Sequence, residues 1–186
     1  MIERSQFHII AILVFCIMVI LLSIAYALMN DSIVVSNSSY MEATTWDVYF
    51  DKVSASTVGK ADYSLPAIEG TTLRDFSVSF QSFGDSVTFE FKVVNAGNTI
   101  AQLGSIILNK PVCKSSISSE ANFVCSELSY KISYDDGKFV REGDLLEANS
   151  FKTIKYTIEY PSTANRLPKA IVDINNLGID LVYHQT

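Results

Sequence analysis

The chain contains two histidines, His8 and His184, and neither sits in a catalytic setting. His8 enters a long apolar run, while His184 falls among the last residues and reads as exposed tail. A Ser-His-Asp relay would have to use His184, yet no serine lies in a nucleophile-elbow sequence. HExxH and glycine-rich phosphate-loop motifs are absent as well. The expectation is therefore no catalytic residue, no cofactor and no enzymatic activity.

Two other groups have spacings with chemical meaning. Cys113 and Cys125 flank the Ser-rich stretch KSSISSEANFV. Outside the cell such a pair forms a local disulfide that pins a surface loop, with two free half-buried thiols as the alternative. The spacing fits neither CxxC redox chemistry nor a zinc ribbon, and no histidine is close enough in sequence to complete a metal site. Cys16 lies inside the apolar run, as a packing residue would. Asp135, Asp136, Glu142 and Asp144 are close enough to gather around Ca²⁺, which takes oxygen ligands. The competing and preferred reading of these four is a solvated hairpin tip.

The elements that must position these groups are strands. Trp46, Val48 and Phe50 alternate with polar or outward residues, as do Phe76, Val78 and Phe80. Val87, Phe89, Phe91 and Val93 repeat the pattern, and so do Leu128, Tyr130, Ile132 and Tyr134. Period-2 alternation is what a half-buried antiparallel strand requires, because successive side chains face opposite sides of the sheet. Gly84-Asp85, the Asn95–Asn98 turn and Asp136-Gly137 supply positive-φ positions between strands. Further strands are expected at 100–108, 151–160 and from Ile179 to Tyr183. The predicted fold is all-β, an immunoglobulin-like antiparallel β-sandwich over residues 45–186, with a barrel as the structural runner-up. Its aromatic rows are read as core. A ligand- or carbohydrate-binding face would show exposed aromatics on a strand, with Tyr49 and Tyr63 the first to check.

Ahead of this domain, Phe7 to Met29 holds no Asp, Glu, Lys or Arg. A helix of that length spans ~34 Å, enough for a ~30 Å hydrocarbon layer. Residues 1–29 are accordingly read as a cytoplasmic stub and a single transmembrane helix, and Arg4 favours a cytoplasmic N-terminus with the rest of the chain outside. Ala25 and Ala27 form an A-x-A pattern, so the same segment could be a signal peptide cut after Ala27, which would release the domain. Residues 30–44 are Ser/Asn-rich and read as a tether, in which Ile33, Val34 and Val35 are candidates to lend a strand to an open sheet edge. The net charge of −6 and the scattering of basic residues exclude the clustered patch that nucleic acid demands.

The segment Gly84 to Leu103, GDSVTFEFKVVNAGNTIAQL, has a Gly-Asp that opens a strand ending in Val-Val-Asn-Ala-Gly. Gly143-Asp144 leads into FKTIKYTIEY with the same logic. This pattern resembles the Ig-like sandwiches of Gram-positive exported surface and matrix proteins of the TasA/camelysin group. The resemblance implies a surface or matrix component and identifies no site. The expected function is a membrane-anchored, exported cell-surface protein with a non-catalytic structural or protein-interaction role. Protein partners or further copies of the chain would bind it, and an anchored cell-wall- or carbohydrate-binding module is the alternative.

Overall fold

The computed structural model describes residues 14–23, 43–164 and 166–186, and the chain divides into two units, Met1–Glu42 and Ala43–Thr186. In the first unit, residues 14–23 form an α-helix (α1) whose side chains are all exposed, Cys16 among them. The Ser23 hydroxyl donates back to the Val19 carbonyl at 2.9 Å. Among the described residues no helix is long and apolar enough to cross a membrane. The remainder of the expected span, the Ala25/Ala27 pair and the Ile33–Val35 segment lie outside the described residues.

The second unit is built from antiparallel strands in two sheets. Sheet 1 has the order β1-β5-β10-β8, formed by Val48–Val58, Ser86–Asn95, Ser150–Glu159 and Ser129–Tyr134. Sheet 2 has the order β2-β4-β11-β6-β9, formed by Asp62–Tyr63, Thr72–Phe80, Val172–Gln185, Ala101–Leu108 and Leu145–Leu146. On its flanks β3 (Ala67–Glu69) pairs with β4, and β7 (Val112–Ser115) pairs with β11.

Alternation places the core between the sheets. Val87, Phe89, Phe91 and Val93 of β5 are buried, as are Ile154, Tyr156 and Ile158 of β10. They meet Phe76, Val78 and Phe80 of β4 and Ile174, Leu177, Ile179 and Leu181 of β11 in one continuous cluster. Phe76 spans the interface, with its ring centroid 4.7 Å from that of Phe89 and 6.3 Å from that of Tyr156. A buried aromatic of this size is worth ~3–5 kcal/mol against truncation to alanine. The expected β-sandwich is present as two packed antiparallel sheets.

Bulges explain why some strands run further than alternation predicts. Register shifts between Asp51 and Val53, where Lys52 has a φ of 46°, so Phe50 and Val53 both face the core. The same happens in β11, where pairing skips from Ile174 to Leu177 through Asn176 at φ 58°. An extra residue in one strand reverses the parity of everything beyond it.

The Ser-rich stretch between the cysteines is no surface loop. Residues Ser118–Glu127 form an α-helix (α2), and the Cys113–Cys125 disulfide ties it to β7. The helix has little amphipathic periodicity and no side-chain N-cap. Its register is held by tertiary bonds: the disulfide, burial of Val124, and Glu120. Glu120 is 3 % exposed; one Arg166 guanidinium nitrogen donates to both of its carboxylate oxygens at 2.9 and 2.7 Å, and the Lys169 amide donates at 3.1 Å.

Candidate functional site

The two Gly-Asp sequences turn out to be scaffold. At Gly84-Asp85 the glycine has a φ of 73°, and the buried Asp85 carboxylate accepts the backbone N–H groups of Lys60, Gln81 and Ser82 at 2.7–2.9 Å. At the far end of β5 the buried Asn95 amide donates to the Thr99, Leu146 and Glu147 carbonyls and accepts the Gly97 N–H. These two motif-like residues therefore satisfy backbone groups and are buried, each about 1 % exposed.

The acidic group does not form an oxygen cage. Asp135 accepts the Asp136 N–H, and Asp136 accepts the Lys138 N–H and pairs with its ammonium at 2.8 Å. Asp144 accepts the Arg141 N–H and the Tyr134 hydroxyl, both at 2.8 Å. Among the described residues Glu142 forms no ion pair or side-chain hydrogen bond that would bring it to the other three. Among the described residues no three acidic, histidine or cysteine side chains converge as a metal site. The physical reason is that each Asp is consumed by its own turn.

His184 belongs to β11, where its Nε2 lies 3.0 Å from Gln102 Oε1 and its ring lies over Gly104. It is exposed, but it is a strand residue and no tail. Tyr183, its inward neighbour, has its phenol pKa raised by burial and by the nearby Asp144 carboxylate. Tyr134 is raised too, by burial and then by its bond to Asp144, so both phenols stay neutral. The carboxyl of Glu120 is held below its usual value, first by the Arg166 bond and then by the Lys169 N–H.

Tyr49 and Tyr63 do not share a face. Tyr63 sits on β2 with its ring edge-on to the core Phe89, centroids 6.0 Å apart. Tyr49 lies on β1 next to the buried Phe50 and so points outward from sheet 1. What the structure brings to Tyr49 is a different aromatic. Tyr49 pairs with Val94, and Val94 pairs with Phe151, giving a row across three strands on the outer face. Tyr49 is 37 % and Phe151 58 % exposed, with the Lys92 ammonium 4.5 Å above the Phe151 ring. The rest of that face is polar: Asp51, Lys92 and Thr153 form the next row, and the face continues with Glu90, ion-paired to Lys155 at 3.8 Å. Adjacent strands lie ~4.8 Å apart, which sets the Tyr49 and Phe151 backbones ~10 Å from each other.

The general expectation that the aromatic rows are core does not extend to Phe151, which faces outward. Its parity gives the correct answer, since it alternates with Lys152 and shares a face with Thr153, Lys155 and Thr157. Comparison of the chain with protein-family models, with curated proteins and with solved structures finds no match.

Proposed function

We propose that this chain is a membrane-anchored, exported surface protein whose immunoglobulin-like sandwich works by binding other proteins and not by catalysis. The apolar Phe7–Met29 segment is its anchor, and the sandwich stands on the outer side of the membrane. The observation that carries the reading is the Tyr49–Val94–Phe151 row, an apolar strip on an otherwise polar, open sheet face. Half-exposed aromatics with a cation alongside are the composition of interaction hot spots. The disulfide suits an oxidising compartment, and the Asp85, Asp136 and Asp144 carboxylates are engaged in holding their own turns. The likeness to exported Ig-like surface and matrix proteins points the same way.

Site-specific photo-crosslinking on the full chain in membranes tests this. A photoreactive phenylalanine analogue at position 151 or 49 should yield protein adducts, and one at Thr157, on the polar part of the same face, should not. Absence of adducts at both aromatic positions would remove the proposal. Extraction by alkaline carbonate, together with protease accessibility in sealed vesicles, tests the anchor and its orientation.

A further inference from the structure

The outer face of sheet 2 carries a different surface. A depression of about 330 Å³ lies there, lined by Asp62, Ser64, Ser77, Ser79, Asp173 and Asn175, with Tyr63 at its edge. Pairing explains its shape. Asp62 and Asp173 flank Ser79 in one row across β2, β4 and β11, and Ser64 lies beside Ser77 in the next. Short serines along β4 make a floor, and the longer side chains of β2 and β11 make two walls. The bulge at Asn175–Asn176 bends β11 beside it.

The polar atoms here are unlike those of the acidic turns. Among the described residues neither Asp62 nor Asp173 forms an ion pair, and no group donates a hydrogen bond to the Asp173 carboxylate. Asp62 accepts only the adjacent Tyr63 N–H, at 2.8 Å. Lys114 is next along the row from Asp173 and forms no ion pair with it. The Ser64 and Ser77 hydroxyls lie 3.1 Å apart, each keeping further bonding capacity. We infer that this trough is a binding site for a neutral saccharide.

Hydroxyl groups of a sugar both donate and accept. Two carboxylates that only accept, serines that do both, and an Asn amide that does both match such a ligand. Facing carboxylates repel an anionic ligand, and the absence of a third ligating side chain among the described residues leaves a metal ion uncaged. The volume falls at the small end of ligand sites, which suits one or two sugar rings. This site lies on the opposite sheet from the Tyr49–Phe151 row, so each stands or falls alone.

The test uses the full chain in detergent micelles, titrated by calorimetry with cellohexaose, chitohexaose, an oligogalacturonate and spermine. At least one of the two neutral oligosaccharides should bind at least tenfold more tightly than the uronate or the polyamine. D173N and S79L should each weaken that binding at least tenfold, while F151A leaves it unchanged. An unaltered thermal midpoint in D173N, whose replaced group is exposed, certifies that the loss is not unfolding. No binding of either neutral oligosaccharide at millimolar concentration, binding indifferent to both variants, or preference for spermine would each overturn the inference.

Discussion

Gly84-Asp85 and Gly143-Asp144 are the same turn built twice. In both the glycine has positive φ (73° and 91°), the Asp N–H donates to the carbonyl three residues back, and its carboxylate accepts that residue's N–H. The surroundings differ. Asp85 is buried, 1 % exposed, and collects two further backbone donors from Lys60 and Gln81. Asp144 is half-exposed and collects a side chain, the Tyr134 hydroxyl. A short motif thus fixes only the local bend. Whether it becomes a structural knot or a surface bond depends on which segments pack over it.

Breaking the buried copy should have the largest effect. Asp85→Ala removes the buried carboxylate that binds the Lys60, Gln81 and Ser82 N–H groups and should cost about 3 kcal/mol in denaturant unfolding. Gly59→Ala attacks the same knot from outside, since its Cβ would sit 2.1 Å from Asp85 Oδ1 at a φ of 75°. A loss of at least ~2 kcal/mol is expected there. Asp144→Ala should cost only about 1–2 kcal/mol, and a double-mutant cycle with Tyr134→Phe should return a coupling of about 1 kcal/mol. Equal losses at the two aspartates would mean that burial does not separate the copies.

A third carboxylate, Glu120, sharpens the contrast because it binds a guanidinium as well as an N–H. Its folded pKa is lowered below 4.5, so its contribution is present above that pH and is lost as pH falls through the folded value. Acid titration of the melting temperature should show this loss, and Glu120→Gln should flatten it. The smallest effect belongs to Tyr130, whose buried hydroxyl has no partner where that of Tyr134 has one. Burial pushes its pKa up to about 12. Its contribution is full below pH 10 and disappears as pH rises toward 12. Tyr130→Phe should be neutral or stabilising by up to ~1 kcal/mol and should blunt that alkaline loss.

Alternation alone revealed the sheets, because β4, β5, β8 and β10 keep period 2 where they were read. It found only the second half of β11, Ile179 to Tyr183, because the first half carries Val172 and Ile174 inward on even positions and the second carries Leu177, Ile179 and Leu181 inward on odd ones. A bulge erases the signal that a strand otherwise writes. The helix α2 was invisible for another reason: it has little amphipathic periodicity and no side-chain N-cap, and it is held by the disulfide and by an ion pair to Arg166, which lies far along the sequence. The outward Phe151 was legible from its parity, and composition masked it. The saccharide trough required pairing, since Asp62, Ser79 and Asp173 are brought into one row only by strand order.

The strand β11 pairs with β4, β6 and β7, none of which pairs with another. Until residues 172–185 arrive, the pieces of sheet 2 have nothing to join them. Sheet 1 has a similar delay, because β5 must wait for β10 to cover its second edge. Such long-range closure makes for slow folding, in milliseconds to seconds. A ribosome or a translocation pore would therefore hand over a chain whose second sheet cannot be completed until residues 172–185 have emerged.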